Sequence, residues 1–356
     1  MTHADRAADS EIEWRFAGKS GLGSACYGDR ARKSMGSMTA KQHRPNKAAV
    51  PKPPAAARDW QWRGKSGLQV LQAKPLAQLH WLIHGFSSRP GGASALETWR
   101  RGKNLTEMAL NLGFTDWDKR QVVLENRAKF YAALGAKKMS PITLRQIHSD
   151  SVHRMDESRP GGPEAARADA LITRERGLLL VVQTADCVPI LLADTKNRAV
   201  AAIHSGWRGT LLRIAQKALG RMRMEYGTRP EEVIAVLGPS IGRCCYQVGP
   251  EVARDFDSQF REAREWFDGP FEMLAKGEND PNWLPWLTMR PPGHAPPPPR
   301  LNLDLIAASR SMLAKAGVPA GQIFSTDLCT GCRADLFFSY RREGKTGRMM
   351  AAIGIR

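Results

Sequence analysis

Apolar positions along this chain fall into two regimes that meet near Pro141. Before it, Leu79–Phe86 (LHWLIHGF) reads as a strand entering the turn-rich SSRPGGAS, while Leu105–Gly113 and Val122–Gly135 carry apolar residues at helical spacing. After it come short apolar runs of strand length: Ile142–Ile147, Leu178–Gln183, Val188–Ala193, Ala199–His204 and Glu232–Leu237. These runs lack strict alternation, which predicts strands covered on both faces. Thr210–Met224 and Leu303–Ala316 are the amphipathic helices predicted to cover them, and Gln322–Asp327 and Arg348–Ile355 close the chain as two more strands.

Two segments break the pattern. Residues 1–58 are rich in Ala, Lys, Arg, Gly, Ser and Pro, show neither period, and are expected to be a disordered basic tail. Asp280–Pro299, with its Trp-Leu pairs and terminal PPPP, is expected to be an extended surface insertion. GKSGL occurs twice, but Glu13 and Asp59 stand where a phosphate-binding loop needs glycine, so neither copy reads as one.

Composition narrows the class. At 356 residues and 42% hydrophobic, the chain has ample material for a core, in one large domain or two small ones. Net charge is 53 − 35 = +18, of which the first 58 residues hold 11 − 5 = +6. The remainder is diluted over the other residues without a recognition motif, so no specific nucleic-acid partner is expected. No apolar run approaches the ~18 residues of a membrane span, and the N-terminus lacks a secretory apolar region. Six cysteines, two of them adjacent, do not form a dense disulfide framework. A cytoplasmic protein with reduced thiols is the expectation.

Among eight histidines, His148 and His204 end apolar strand candidates, and Cys187 lies in a turn between two others, beside Asp186. Residues at strand ends converge from distant positions onto a rigid frame. Two imidazoles and one thiolate, with a fourth position left to water or substrate, make a catalytic zinc site. A buried thiol with two hydrogen-bonded histidines satisfies the same spacing.

The blocks HGFSSRPGG, LENR, LRQIHSDSV, ADALIT, TADCVPILLAD, AAIHSGWRGT, GPSIGRCCYQVG, LNLDL and STDLCTGC…FFSYRREGKTGR, in that order, resemble the bacterial YfiH-type laccase-domain family. This is also called the polyphenol oxidase or purine nucleoside phosphorylase family, and some members are described as peptidoglycan editing factors. The resemblance runs from about Leu79 to the C-terminus. It departs before LENR, where relatives show a Gly-Asp pair and this chain reads GFTDWDKRQVV. It implies an α/β (α+β) fold, a single domain of mixed β-sheet layers flanked by helices over residues 59–356. It also implies a metal held by His148, Cys187 and His204, and a zinc-supported phosphorolysis of adenosine, inosine or methylthioadenosine with adenosine deamination as a second activity.

That chemistry needs an anion pocket and a proton carrier. Arg208 sits where HSGWRGT leads into a predicted helix, Arg89 lies in the Gly-rich turn, and both are candidate phosphate ligands. Asp186 is the candidate proton carrier beside Cys187, and Gln146 shares a strand face with His148. No paired His-x-His motif supports a multicopper centre, although copper in a soft site would give weak polyphenol oxidase activity. The zinc deaminase pattern H-x-E…P-C-x-x-C is missing. Cys329 and Cys332 would be half of a structural zinc site only if Cys244 and Cys245 completed it; buried free thiols are the expectation. The alternative enzyme is a cysteine hydrolase editing peptidoglycan precursors, with Cys187 as nucleophile, His148 or His204 as base, and Asp186 or Asp150 as orienter. Oligomeric state is left open.

Overall fold

The most apolar runs become the inner strands of two stacked sheets in a computed structural model that describes residues 58–64, 67–100, 103–156, 166–271 and 300–356. The expected tail (bar Arg58) and the Pro-rich insertion lie outside the described residues. The first sheet runs β1 (Trp60–Arg63), β2 (Val70–Ala73), β3 (Leu82–Ser87), β17 (Met349–Ile355), β9 (Leu178–Thr184) and β6 (Ser140–Ile142). The second runs β16 (Ile323–Ser325), β12 (Val233–Leu237), β10 (Val188–Asp194), β11 (Ala199–Ser205), β8 (Ala170–Thr173) and β7 (Val152–Arg154). Pairing is antiparallel except at β6/β9, β7/β8 and β12/β16.

Every residue of β10, β11 and β17 is buried, and the pleat sorts their side chains into different layers. Leu180, Val182, Ala351 and Ile353 of the first sheet meet Leu191, Ala193, Val200 and Ala202 of the second. On the outer face of the first sheet, Leu179, Val181, Met350 and Ala352 pack on Phe130 of α2 (Arg120–Ala133). Ile190, Leu192, Ala201 and Ile203, on the outer face of the second, pack on α4 (Ile214–Tyr226), α5 (Pro250–Gln259) and α6 (Leu305–Lys315). The result is helix, sheet, sheet, helix. Both faces of the inner strands are apolar because both are covered, which is why the sequence shows continuous runs. The short helices α1 (Lys74–Ala77), α3 (Trp207–Leu211) and α7 (Tyr340–Glu343) join elements at the edges, and β13 (Gln247–Val248), β15 (Leu301–Leu303) and β14 (Phe267–Asp268) form a small third sheet.

Three expectations change. Leu105–Gly113 is not helical: β5 (Lys103–Ala109) pairs with β4 (Pro90–Arg100), a non-local ladder that overrides helical spacing, and β4 begins inside the stretch read as a turn. The helix expected over Thr210–Met224 is broken into α3 and α4 at Arg213, whose φ is 61°. Of the run Ile142–Ile147, only Ile142 is in a strand; the rest is held as a loop by side chains described below. Among the described residues no helix is long and apolar enough to cross a membrane.

Leu191 is fully buried between the sheets, whereas Leu124 on α2 is 42% exposed. Leu191→Ala is expected to destabilise by about 2–5 kcal/mol, and Leu124→Ala by less than about 0.5 kcal/mol. Equilibrium urea unfolding of both variants checks the assignment of the central layer.

Candidate metal centre

Strand β9 belongs to the first sheet and β10 to the second, so Ala185–Asp186–Cys187 carries the chain across the sandwich. Asp186 takes a left-handed φ of 96° at this crossing. Its carboxylate accepts from the Thr330 hydroxyl (2.6 Å) and the Arg341 N–H (2.7 Å), and its carbonyl from the Ile241 N–H (2.8 Å). Those three bonds fix the turn that presents Cys187.

His204 is the penultimate residue of β11, one strand away, opposite Pro189 of β10. Its Nδ1 lies 2.9 Å from Asp169 Oδ1, which directs Nε2 towards Cys187. The same carboxylate accepts the backbone N–H groups of Ile147 (3.2 Å), His148 (3.0 Å) and Ser149 (2.6 Å), and the Ser149 hydroxyl (2.7 Å). This clamp holds His148 at a left-handed φ of 58° with its exposed ring over the other two side chains. His148 Nε2 is 3.9 Å from Cys187 Sγ, and the imidazole centroids are 4.9 Å apart at 76°.

One donor atom from each of the three residues falls within 4.8 Å of the others. Tetrahedral zinc with ordinary bond lengths places N and S about 3.6 Å apart, so a small contraction seats all three donors on one ion. Gly206 leaves the room: a Cβ there would lie 3.0 Å from Cys187 Sγ and 3.2 Å from a His148 ring carbon. The donor set and its carboxylate backing fit a borderline or soft metal ion.

Electrostatics match. Burial pushes the Cys187 thiol up, but His204 and hydrogen bonds from both histidines outweigh it and draw the thiol down to about 6. Burial disfavours the His204 cation, yet the thiolate and Asp169 raise it to about 9. Asp169 is held down to about 2 by hydrogen bonds from His204 and Ser149 despite its burial. These shifts favour a Cys187 thiolate beside a His204 imidazolium, backed by the Asp169 carboxylate.

Other sequence candidates fall elsewhere. Arg89 is wholly buried, with Nη1 2.5 Å from Glu343 and Nη2 3.3 Å from Glu107, and stacks 5.1 Å from the Phe338 centroid; its charge is neutralised inside the fold. It is therefore not placed to clamp phosphate. Gln146 donates to the Gln183 carbonyl (2.8 Å) and accepts the Gln183 N–H (2.7 Å), so its amide replaces a strand neighbour and does not face the donors. The Asp186 carboxylate is committed to Thr330 and Arg341, which makes it a turn-holder and not a free proton carrier. Asp150 pairs with Lys217. Arg208, half-buried on α3 two residues from Gly206, stacks 5.0 Å from the Trp207 centroid; α3 is only five residues long, so its dipole attracts an anion weakly.

Sequence reasoning missed Asp169, Tyr246 and Arg348. Burial pushes the Tyr246 hydroxyl up and the Cys187 charge adds to it, with the Arg341 guanidinium stacked 5.0 Å from its ring centroid. Burial lowers Arg348, while Tyr340, Cys187 and Asp186 pull it back up, which places this guanidinium in the field of the cluster. The signal was present: Asp169 lies in ADALIT, Tyr246 in GRCCYQVG and Arg348 in GKTGR.

The chain is similar to known proteins over most of its length. A family described as "Multi-copper polyphenol oxidoreductase laccase" matches residues 83–356. A purine nucleoside phosphorylase of Deinococcus radiodurans is 37% identical over 81% of this chain and 94% of its own length. An adenosine deaminase, RL5, from an unknown prokaryotic organism is 35% identical over 65% of this chain and 81% of its own. The crystal structure of the Bacillus licheniformis hypothetical protein YfiH superposes with a TM-score of 0.65 at 29% identity, covering 81% of this chain and 96% of that one.

Two measurements test the centre. Between about pH 6 and 9 the thiol is already ionised and the His204 imidazole still protonated. A metal needs the neutral imidazole, so each ion bound near pH 8 is expected to release about one proton, which calorimetry in buffers of different ionisation enthalpy counts. Release of two would mean that the thiol is protonated. Asp169→Asn is expected to weaken metal binding by about 10–100-fold in chelator competition.

Proposed function

The chain belongs to the multi-copper polyphenol oxidoreductase laccase family, and on that premise we propose that it is a zinc-dependent purine nucleoside phosphorylase acting on adenosine, inosine and methylthioadenosine. The observation that carries this reading is the convergence of His148, Cys187 and His204 on one point, backed by Asp169 and open on the exposed His148 side. The relatives named purine nucleoside phosphorylase and adenosine deaminase support it. In this reading residues 59–356 are the catalytic domain, the protein is cytoplasmic, and its partners are a purine nucleoside and phosphate.

Phosphorolysis breaks the bond between the ribose anomeric carbon and the purine nitrogen. A phosphate oxygen takes the carbon, and the base leaves with the electron pair and then gains a proton. Zinc held by His148, Cys187 and His204 would supply a fixed positive charge that polarises a substrate oxygen or a water. Arg348 and Arg208 supply guanidinium donors for the phosphate dianion. Tyr340, 60% exposed and 5.9 Å from the Arg348 guanidinium, offers a ring face for the purine. Asp169 keeps the proton on His204 Nδ1, so Nε2 stays a donor atom. Adenosine deamination, with water replacing phosphate and the exocyclic amine leaving, uses the same centre as a side reaction. Copper held by the same two imidazoles and one thiolate would supply weak polyphenol oxidase activity.

A second reading rests on the alignment of three side chains. Cys187, His204 and Asp169 line up as thiolate, imidazolium and carboxylate, the order of a cysteine hydrolase, with Asp169 in the orienting place expected of Asp186 or Asp150. Such an enzyme would cleave amide bonds of peptidoglycan precursors without metal.

Incubation with adenosine, with and without phosphate, followed by chromatographic resolution of adenine, inosine and hypoxanthine, separates these readings. Phosphate-dependent adenine release is expected, falling more than about 100-fold in Cys187→Ala, beyond the cost of losing an outer-shell partner. Inosine alone would make deamination the main reaction, and no purine product from zinc-loaded protein would favour the hydrolase. Arg348→Gln is expected to raise KM for phosphate about 10–100-fold, the worth of a charge-assisted hydrogen bond.

A further inference from the structure

Cys244, Cys245, Cys329 and Cys332 come from two loops about 87 residues apart and meet at one place. Cys244 Sγ lies 3.4 Å and Cys245 Sγ 3.5 Å from Cys332 Sγ, and all four sulfurs fall within 4.8 Å of one another. We propose that these four thiols form a second metal site, a structural tetrathiolate that takes zinc and staples the two loops together. It shares no residue with the His148–Cys187–His204 centre and does not rest on the reaction proposed for it.

Spacing, donors and shape each favour a metal over free thiols. Zinc–sulfur bonds of about 2.3 Å in a tetrahedron put sulfurs about 3.8 Å apart, close to what is seen; a disulfide needs about 2.05 Å. Cys329 Sγ accepts the Gly242 N–H at 3.2 Å, so a backbone donor from the other loop points at a sulfur that carries negative charge when it ligates a metal. Glycines open the space: a Cβ at Gly331 would lie 3.0 Å from Cys245 Sγ, and one at Gly242 would lie 3.3 Å from Cys244 Sγ. Cys244 and Cys332 are exposed, so they are not core fillers, and an ion reaches them from solvent. The backbone is already registered, since Ser240 bridges Cys329 and the Thr330 N–H donates to the Ser240 carbonyl at 3.0 Å.

The staple has a consequence for the active centre. Thr330, between the two cysteines of CxxC, holds Asp186 beside Cys187, and Tyr246 directly follows Cys245. An ion here fixes the two loops that set the turn of the catalytic-centre thiol.

The test uses full-length protein carrying Cys187→Ala, which disables the first centre. Native mass spectrometry after chelator washing is expected to find one zinc per chain, and cobalt replacement an intense near-ultraviolet thiolate-to-cobalt band. Adding Cys329→Ser and Cys332→Ser is expected to abolish both. Cys332→His, a ligand that zinc also accepts, is expected to retain the ion and weaken the band roughly in proportion, from four thiolates to three. If the serine variants do not fold, the Cys187→Ala spectrum and the histidine variant still decide. The proposal is overturned if the folded Cys187→Ala protein holds no metal and its four thiols react freely with a thiol reagent, or if peptide mapping finds Cys332 in a disulfide with Cys244 or Cys245.

Discussion

The buried carboxylate of Asp169 organises the whole candidate centre. It accepts three backbone N–H groups and a hydroxyl from Ile147–Ser149 while bonding the His204 ring, so a loop and a strand far apart in sequence become one rigid unit. An unpartnered carboxylate at zero exposure would cost several kcal/mol and would protonate instead. Five donors reverse that balance and keep it ionised. The same bonds hold His148 in a left-handed conformation that a non-glycine residue rarely adopts, and they fix the His204 tautomer.

The rest of the geometry comes from the sandwich. Two sheets packed face to face need a crossing, and the crossing between β9 and β10 is a three-residue turn ending in Cys187. Because β10 and β11 form a hairpin buried on both faces, the positions of Cys187 and His204 are set by core packing and not by flexible loops. The C-terminal segment closes the frame: Thr330 and Arg341 fix Asp186, and Arg348, next to β17, enters the field of the thiolate. Candidate centre and fold share these bonds, so substitutions at Asp169 or Asp186 are expected to report on both.

Arg89 and Arg348 show how similar residues acquire different work. Both are arginines in Gly-containing segments of the resemblance blocks. Arg89 is drawn into the interior because Glu107 on β5 and Glu343 on α7 meet there, whereas Arg348 emerges at the start of the last central strand, beside the centre. No local feature of either segment encodes that difference, because the deciding carboxylates lie 18 and 254 residues from Arg89.

By itself the sequence determined the covered strands, since continuous apolar runs are stable only where both faces are buried, and it determined α2 and α6 from helical spacing. It also carried the three donors, through their blocks. It did not determine β5, whose spacing imitates a helix until β4 pairs with it, nor the loop at Gln146, whose amide substitutes for a strand partner. Nor did it assign Asp169, or unite Cys244 and Cys245 with Cys329 and Cys332. Those depend on side chains satisfying backbone groups across distant segments, and only the packed sheets decide which segments lie within hydrogen-bonding reach.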